Sequence, residues 1–371
     1  MACSHISGID NKITENLRND RPVKLEILAN SRKVDAVLIS DLKSIRYFCG
    51  FTGSSAYLLF CRGKMYFLTD GRYRTQSEKE VENAEIIVYE NNALESISSL
   101  AEDLGIERLL FESKEISYDD FIKLKGSLKK TELIPAGDEI RKTRTVKDDI
   151  EIALLKRAVE IPLNAFIAIH DLIKPGIREI DVALALEDEM RKRGAQKVSF
   201  DIIVASGKRS SFPHGLAEEK IIEDHDLVVV DFGAVFKGYN TDETCTVKVG
   251  DVGAEALKIY DTVLSAHDKA IEAARPGVTA CDVDGAARNY IEEKGYGKFF
   301  VHGTGHGVGL DVHELPIVSK KSKDVLEEGM VITVEPGIYM PDIGGVRIED
   351  MVLITASGSE VITKCNNYLR G

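Results

Sequence analysis

The feature that most constrains the fold is an internal repeat in the C-terminal part of this 371-residue chain. The sequence Lys-Pro-Gly-Ile at 174–177 returns as Arg-Pro-Gly-Val at 275–278, and Gly194 matches Gly295 at the same offset of 101 residues. Each copy is predicted to contain a helix, a Pro-Gly break, a second helix that ends at glycine, and then extended segments. Two such copies predict a domain with pseudo-two-fold symmetry and a central site, because solenoids have shorter periods and more copies.

The N-terminal part follows a different pattern, in which helical and extended segments alternate. A helix is predicted over 12–33, and strands are predicted over 34–39, 57–61, 65–68, 86–89 and 108–111. This alternation predicts an α/β domain with a mixed sheet. The segment Pro135–Asp138 contains turn-forming residues and is predicted to be a linker, with a long helix beginning near Val146. We therefore expect an N-terminal α/β domain over residues 1–140 and a second domain over residues 141–371.

The composition limits the partners of the chain. A formal net charge of −13 argues against nucleic acid and against anionic lipid as binding partners. The sequence has no apolar run of roughly 18 residues, which a membrane span requires, and its N-terminal segment lacks the features of a secretion signal. The six cysteines form no CxxC pair and are expected to be free thiols in a reducing compartment. We therefore expect a cytoplasmic protein that does not bind membranes.

A strand that ends in an acidic residue occurs twice in the second domain. In the first case the apolar run 227–230 is followed by Asp231, and a partner strand containing Asp242 is predicted. If the hairpin turns between Phe236 and Lys237, the two aspartates lie opposite each other with Cβ atoms roughly 5 Å apart, where like charges are destabilising. Such a pair needs a cation, a shared proton or exposure to water, and the apolar run argues against exposure.

The same construction recurs around residue 342. The apolar run 331–334 is followed by Glu335, and its predicted partner strand carries Glu349. The midpoint between the two glutamates lies at residue 342, within a predicted turn at 342–345. The sequence therefore predicts two hairpins that each present a pair of facing carboxylates.

Histidine and glycine are concentrated near these hairpins. The segment 302–309 reads HGTGHGVG, His313 follows shortly after it, and His214 lies in the sequence FPHG. Alternating glycines allow a backbone to bend sharply and to approach a ligand closely. The four carboxylates and His306 form an oxygen-rich ligand set that suits Mn²⁺ and tolerates Co²⁺ or Zn²⁺. Such a set can balance the charge of two divalent cations, which activate water and polarise a carbonyl in two-metal sites.

These residues lie in phrases that resemble a known family. The phrases are PHG, HGTGHGVGLDVHE, VEPGIY and GGVRIED. They are similar to those of the proline-specific aminopeptidases and prolidases, and the similarity covers about residues 146–371. The resemblance implies an α+β pita-bread domain, as in methionine aminopeptidase and creatinase, and the N-terminal α/β domain fits the same architecture. It also implies two divalent metal ions, most naturally Mn²⁺, a peptide substrate with proline at its second position, and a homodimer.

The resemblance further implies a role for individual residues. The implied metal ligands are Asp231, Asp242, His306, Glu335 and Glu349. Asp242 is expected to bridge both ions, and Glu335 is expected also to accept the proton of the attacking water. His214 and His313 are expected to bind the substrate and to steady the tetrahedral intermediate. His302 is expected to relay a proton or to support a ligand from behind.

Two further positions lie close to this set. Arg347 resembles a partner of the acidic ligands, and a buried ion pair of purely structural role is the alternative. Cys245 stands where the family often has arginine, and a packed, inert thiol is expected there rather than a redox switch. Neither residue is one of the implied ligands.

Other activities on the same fold agree less well with the sequence. A binding module that has lost its chemistry is expected to lack ligands, creatinase-like chemistry needs no metal, and methionine aminopeptidases usually lack a separate N-terminal domain. A strict dipeptidase needs a cation for the free carboxylate of a C-terminal proline. Prolidases tend to carry an arginine just after the His-Glu motif, where this chain has Ile317. We therefore predict an Xaa-Pro aminopeptidase, with an Xaa-Pro dipeptidase as the alternative.

Overall fold

The computed structural model describes residues 11–370, and these form two compact units. One unit ends at Arg144 and the other begins at Thr145. Within the described residues, no helix is both long enough and apolar enough to cross a membrane.

The first unit is built on a mixed sheet. Its strands are β1 (Ala36–Ile39), β2 (Tyr57–Cys61), β3 (Lys64–Asp70), β4 (Ala84–Tyr89), β5 (Arg108–Phe111) and β6 (Glu132–Pro135). The order across the sheet is β4-β3-β2-β1-β5-β6. The pairs β1–β5, β5–β6 and β3–β4 are parallel, whereas β1–β2 and β2–β3 are antiparallel. The structure thus confirms the predicted α/β organisation with a mixed sheet.

Helices pack against this sheet and bury its apolar residues. They are α1 (Asn11–Arg32), α2 (Leu42–Cys49), α3 (Arg74–Glu80), α4 (Ala93–Asp103), α5 (Tyr118–Ser127) and α6 (Glu139–Lys142). Leu38 and Leu109 share an apolar cluster with Ile97 of α4 and Leu124 of α5. Val37, which points to the opposite face of the sheet, is also buried. Because both faces are covered, the central strands are continuous apolar runs rather than alternating ones.

The predicted linker at Pro135–Asp138 is wrong, because part of it belongs to regular structure. Pro135 ends β6 and pairs with Phe111 of β5, and Asp138 immediately precedes α6. Proline is tolerated in β6 because this strand lies at the edge of the sheet, where one row of backbone groups has no ladder partner. The turn-forming composition therefore concealed an edge strand.

The second unit combines helices with small antiparallel sheets. Its helices are α7 (Asp149–Ala158), α8 (Glu160–Ile169), α9 (Glu179–Lys192), α10 (Ala254–Ala273), α11 (Ala280–Glu293) and α12 (Cys365–Arg370). Its strands are β7 (Lys197–Val198), β8 (Ile203–Ser206), β9 (Leu227–Phe232), β10 (Ala234–Phe236), β11 (Tyr239–Asn240), β12 (Glu243–Lys248), β13 (Gly305–Gly307), β14 (Glu314–Val318), β15 (Val331–Val334), β16 (Gly337–Met340), β17 (Gly344–Arg347), β18 (Asp350–Thr355) and β19 (Gly358–Val361). The two sheets that position the site have the orders β12-β9-β8 and β14-β13-β15-β18-β19.

The internal repeat is present in the structure. Helices α9 and α11 begin and end 101 residues apart. Gly176 and Gly277, at the two Pro-Gly breaks, have φ angles of 92° and 84°, which lie in the left-handed region that favours glycine. Their N–H groups donate to the carbonyls of Ile222 and Leu326, at 2.9 Å in both cases. Each copy packs its own apolar core, around α8 and α9 in one and around α10 and α11 in the other. The predicted pseudo-two-fold α+β domain is therefore confirmed.

The long helix predicted to begin near Val146 is interrupted. Helix α7 starts after Asp148, whose side chain accepts from the backbone N–H of Glu151 in a capping box, and it ends at Ala158. Helix α8 follows after one residue and contains Pro162. Proline has no N–H to donate to the carbonyl four residues earlier, which here is that of Ala158. The helix therefore divides at this position.

A buried carboxylate lies directly after β5 in the first unit. Glu112 is 3% exposed, and its Oε2 accepts hydrogen bonds of 2.7 Å from the backbone N–H groups of both Ser40 and Asp41. Its Oε1 has no hydrogen-bond partner in the described part of the chain. Burial raises the pKa of Glu112 to about 7, although the two backbone hydrogen bonds oppose that shift. This carboxyl group therefore titrates near neutral pH.

We expect ionisation of Glu112 to destabilise the first unit as the pH rises from about 4.5 towards 7. The folded pKa lies above the ordinary value of 4.5, so the anion is less stable in the folded chain than in the unfolded chain. The resulting loss of unfolding free energy is about 3 kcal/mol above pH 7. Glu112→Gln cannot ionise and should flatten this dependence. The pH dependence of the unfolding free energy is measured by hydrogen-exchange protection of β1 and β5, corrected for intrinsic exchange rates. Glu107→Gln, at an exposed position, is the control. An unchanged pH profile in Glu112→Gln would contradict this account.

Candidate metal centre

The first acidic hairpin differs from its predicted register by two residues. Strand β12 pairs with β9 so that Thr244, not Asp242, lies opposite Asp231. The turn is formed by Lys237 and Gly238, whose φ angles of 47° and 82° are both positive, as a two-residue hairpin turn of this kind requires. A turn centred one residue later moves every cross-strand partner by two residues. Because side chains alternate with a period of two, this shift keeps both aspartates on the same face.

Gly233 allows this hairpin to bend between β9 and β10. A Cβ atom on Gly233 would lie 1.9 Å from the carbonyl oxygen of Thr241, so no other residue fits there without displacing the backbone. The close approach interrupts the ladder just before Asp242. As a result both Asp231 and Asp242 line the same cavity.

The second acidic hairpin has the predicted register. Val334 pairs with Asp350 at the end of β15 and β18, and Gly337 pairs with Arg347 in β16 and β17. Both ladders have the same centre, at residue 342, so Glu335 lies opposite Glu349 in the gap between them. This part of the prediction is confirmed.

The two hairpins meet at His306 on β13. The imidazole Nε2 lies 3.6 Å from Oδ2 of Asp242 and 3.4 Å from Oε1 of Glu335. Ligand atoms of Asp242, His306 and Glu349 all lie within 4.8 Å of one another, and these three residues are buried. Asp231 and Glu335 line the same cavity. The structure therefore brings together all five residues that were predicted to hold metal.

Arg347 connects the two hairpins from behind the carboxylates. Its Nη2 donates to Oδ2 of Asp231 at 2.5 Å, and its Nε donates to the hydroxyl of Thr244 at 3.1 Å. That hydroxyl in turn donates to Oε2 of Glu349 at 2.7 Å. Arg347 also donates to the phenol oxygen of Tyr339 at 3.0 Å. The arginine thus orients one acidic residue directly and a second one through Thr244.

Burial makes the anionic forms of these carboxylates unfavourable in the absence of a cation. The pKa of Asp242 is raised well above its ordinary value, first by burial and then by the neighbouring Asp231. Burial and the neighbouring Asp242 raise the pKa of Glu349 in the same way, and burial raises the pKa of Glu335. These are the like-charge repulsions that the sequence predicted for two facing pairs.

The donor set fits a divalent cation. The Nδ1 atom of His306 lies 3.0 Å from the carbonyl oxygen of Gly307, which can only accept, so Nδ1 carries the hydrogen and Nε2 presents a lone pair towards the carboxylates. The buried Oδ1 of Asp231 has no hydrogen-bond partner within residues 11–370. Lone pairs of nitrogen and oxygen that face one another without a hydrogen between them require a positive charge. A neutral imidazole held through its other nitrogen is the usual arrangement of a metal-bound histidine.

The cavity in front of these residues has a volume of about 510 Å³ and contains the other predicted histidines. His214 and His313 are exposed within it, and the His313 ring centroid lies 4.2 Å from that of His306. Burial and the neighbouring His306 lower the pKa of His313. His302 also lines the cavity, and its Nε2 lies 2.8 Å from the hydroxyl of Tyr339. The three histidines therefore share one space with the acidic residues.

Two residues of this site were not identified from the sequence. Tyr339 links His302 to Arg347, and Thr244 links Arg347 to Glu349. Tyr339 belongs to the phrase VEPGIY, so the resemblance to the family could have identified it. Thr244 is a threonine in a strand, and nothing in the local sequence indicates a role for it. Only the packing of one hairpin against the other shows what these two hydroxyls contact.

Cys245 is buried in the apolar core behind the site. Its Sγ lies 2.6 Å from that of Cys365, and both are free cysteines. Burial raises the pKa of the Cys245 thiol to about 11. The thiol is therefore protonated at neutral pH, in agreement with the expectation of an inert packed residue.

The fold and the site define a class of hydrolase, the pita-bread metallopeptidases. The model of the family described as Metallopeptidase family M24 matches residues 153–356, and that of the Creatinase/Prolidase N-terminal domain matches residues 22–146. The chain belongs to Metallopeptidase family M24 and carries the N-terminal domain of creatinases and prolidases. The predicted family and the predicted enzyme class are confirmed.

Individual relatives agree with this assignment over nearly the whole chain. The chain is 40% identical over 359 residues to an Xaa-Pro dipeptidase of Pyrococcus horikoshii, which covers 95% of this chain and 99% of the relative. It resembles the structure of an Xaa-Pro dipeptidase from Bacillus anthracis, with 42% identity, a TM-score of 0.91, and coverage of 94% and 98%. It also resembles the structure of an X-Pro aminopeptidase from Thermotoga maritima, with 38% identity, a TM-score of 0.82, and coverage of 89% and 96%.

We expect metal to stabilise the second unit and Asp242→Asn to reverse that effect. Mn²⁺ at 100 times its Kd contributes about 2.7 kcal/mol, or roughly 5–10 °C in Tm for a unit of this size. Asp242→Asn replaces a carboxyl group whose ionisation is made unfavourable by burial and by Asp231, so it should raise the Tm of the metal-free protein and abolish the increase with metal. Calorimetry with and without chelator measures both effects, and Asp261→Asn on the exposed face of α10 is the matched control. If Asp242→Asn and Asp261→Asn have the same Tm with metal and also the same Tm with chelator, the proposed repulsion at Asp242 is disproved.

Proposed function

We propose that this protein is a metal-dependent Xaa-Pro dipeptidase, which hydrolyses the bond between an N-terminal residue and a C-terminal proline. The observation that carries this proposal is the wall of four carboxylates and His306 that faces the cavity. Relatives that are about 40% identical over nearly the full length are named Xaa-Pro dipeptidases. This evidence favours the dipeptidase alternative over the aminopeptidase that the sequence led us to predict.

The proposed ligands are Asp231, Asp242, His306, Glu335 and Glu349, and they would hold two divalent cations. Mn²⁺ is the preferred ion, and Co²⁺ or Zn²⁺ can replace it, because four oxygen donors and one nitrogen donor suit hard to intermediate cations. When bound, two such ions supply a nucleophile from water at neutral pH and polarise the substrate carbonyl. Asp242, whose Oδ2 lies 3.6 Å from Nε2 of His306, would be the ligand available to both ions. Arg347 orients Asp231 from behind.

Glu335 accepts the proton of the attacking water and returns it to the leaving group. Its carboxylate lines the cavity, with Oε1 3.4 Å from Nε2 of His306, so it can take a proton from a water molecule in the cavity. The leaving group is the nitrogen of proline, which carries no hydrogen in the peptide and has to take up a proton as the bond breaks. A carboxyl group that can store a proton next to this nitrogen therefore serves both halves of the reaction.

His214 and His313 bind the substrate from the exposed side of the cavity. The lowered pKa of His313 keeps its ring neutral at neutral pH, so it donates an N–H to the carbonyl oxygen without adding a second positive charge beside the metal ions. His302 has a different role, since its Nε2 accepts from the hydroxyl of Tyr339, which in turn accepts from Arg347. It positions the arginine and, through it, Asp231.

We further propose that the enzyme is a cytoplasmic homodimer. The free cysteines among the described residues support a reducing compartment. The resemblance to the prolidases supports the dimer. Sedimentation velocity of the metal-loaded protein tests the oligomeric state.

One observation favours an Xaa-Pro aminopeptidase as the second candidate. Ile317 is 45% exposed and lines the cavity where a cation for the proline carboxylate was expected. Among the described residues that line the cavity, Arg347 is the one cation, and its guanidinium is bound to Asp231 and Thr244. A dipeptidase therefore needs a cation from outside this set of lining residues, whereas an aminopeptidase acting on longer peptides needs none.

We expect the metal-loaded enzyme to cleave Ala-Pro more efficiently than Ala-Pro-Ala. A hydrogen bond to a charged group contributes about 1.5–3 kcal/mol, so recognition of the free proline carboxylate corresponds to a preference of roughly 10- to 150-fold in kcat/KM. Ile317→Arg adds a cation within the cavity and should increase this preference, while Ile317→Leu is the matched control. A clear preference for Ala-Pro-Ala would make Xaa-Pro aminopeptidase the correct activity.

Replacing either exposed histidine should lower kcat without loss of metal. His214→Ala and His313→Ala each remove a donor to the transition state, and such donors contribute about 3 kcal/mol, or roughly 100-fold in kcat. Metal content by elemental analysis should equal that of the unmodified enzyme. His225→Ala, at an exposed position outside the cavity, is the control. Loss of metal in His313→Ala would instead identify His313 as a ligand.

A further inference from the structure

One carboxylate in the cavity takes no part in the chemistry described above. Asp201 lines the same cavity as the five acidic and histidine residues, and it is exposed. Within residues 11–370 its side chain has no hydrogen bond, ion pair or other electrostatic partner. A carboxylate without a protein partner inside a substrate cavity is available to the substrate.

The chain places Asp201 close to the candidate metal centre. Ile203 of β8 pairs directly with Asp231 of β9, and both line the cavity. Asp201 precedes Ile203 by two residues and lines the same cavity. Two residues of chain span at most about 7 Å. Asp201 therefore lies within reach of a long substrate side chain from the proposed metal ligands.

The remaining charges of the cavity leave Asp201 uncompensated. Two divalent cations would balance the four proposed acidic ligands, and Arg347 is bound to Asp231. Arg209 approaches the rim through the carbonyl of Leu216, but it forms ion pairs with Glu179 and Glu218. No lysine is among the described residues that line the cavity. The negative charge of Asp201 is thus the one available to select a substrate.

The surroundings of Asp201 suit the stem of a long side chain. Phe200, Ile203, Pro213 and Leu216 line the cavity beside it. Lysine and arginine bury their methylene groups along such apolar surfaces and keep the charged end near water or a carboxylate. A cavity lined by apolar residues and by one carboxylate without a partner therefore matches a basic side chain better than an acidic or a short one.

Asp201 and Ile317 reach the cavity from different sheets of the second unit. Ile317 belongs to β14, which pairs with β13 through His306, whereas Asp201 precedes β8 in the other sheet. In the proposed function the side of Ile317 receives the proline. The side of Asp201 then receives the residue before proline, whose α-amino group stays near the scissile bond while its side chain extends outwards.

We propose that Asp201 binds the positive charge of a lysine or arginine that precedes proline, and so sets a preference for basic Xaa-Pro substrates. This inference rests on the proposed function of the same site. It adds the substrate class, which neither the family nor the metal ligands specify.

The test compares substrates that differ in charge but little in shape. Lysyl-proline is compared with norleucyl-proline, and glutamyl-proline with glutaminyl-proline, all with the Mn²⁺-loaded enzyme. A partly exposed ion pair corresponds to a preference of about fivefold, so kcat/KM for lysyl-proline should exceed that for norleucyl-proline by about this factor. The ratio should fall as salt is added, because added ions screen the pair. Without Asp201 the apolar wall alone favours norleucine.

Two variants and one control connect the preference to this residue. Asp201→Asn should lower the ratio to one or below by lowering kcat/KM for lysyl-proline, and Asp201→Lys should invert the preference towards glutamyl-proline. Asp261→Asn removes a similar charge outside the cavity and should change neither. The variants should keep the metal content of the unmodified enzyme.

Three results would overturn the inference. A ratio at or below one in the unmodified enzyme, or an unchanged ratio in Asp201→Asn, excludes Asp201 as the selecting charge although the dipeptidase activity stands. A preference for lysine only after proline, seen as faster cleavage of Ala-Pro-Lys than of Ala-Pro-norleucine, would show that Asp201 does not lie on the side that receives the residue before proline. If norleucyl-proline is not cleaved at all, the proposed function fails and this inference fails with it.

Discussion

Repulsion between four carboxylates on one wall of a cavity is the constraint on which the second unit depends. Asp231 and Asp242 come from one hairpin, Glu335 and Glu349 from the other, and burial raises the pKa of three of the four. Such an arrangement persists only if the surrounding structure is rigid. The two copies of the repeat supply that rigidity, since each packs its own apolar core behind its hairpin. A cation then relieves the repulsion, which links metal binding to stability.

Arg347 and the hydroxyl groups of Thr244 and Tyr339 determine how this repulsion is distributed. Arg347 carries the one positive charge among the cavity-lining residues described, and it reaches Asp231 directly and Glu349 through the hydroxyl of Thr244. Tyr339 connects the same arginine to His302. In the function that we propose, divalent cations would balance the acidic ligands, and a substrate would meet the residues at the periphery of the cavity. Ile317 and Asp201 both line that cavity, and we propose that they influence which peptide end and which side chain are recognised.

The comparison of prediction and structure is most informative at the two hairpins. The register of the second hairpin was predicted correctly, because its acidic residues are symmetric about residue 342. The first was wrong by two residues, because Lys237 adopts a positive φ that sequence patterns do not associate with lysine. The linker predicted at Pro135–Asp138 was also wrong, because the turn-forming residues there include the end of the edge strand β6. At Pro135 the pairing with Phe111 of β5 overrode the local preference.

Much about this protein was accessible from the amino-acid sequence. The repeat, the mixed sheet, the family and the chemical nature of the acidic and histidine residues all follow from local patterns and from motifs, because periodicity and residue type are properties of short segments. The partners of Arg347, the roles of Thr244 and Tyr339, and the presence of Asp201 in the cavity follow from the folded structure instead. These depend on how segments more than a hundred residues apart pack against each other. No local pattern encodes that packing, since it is set by the shape of the whole core.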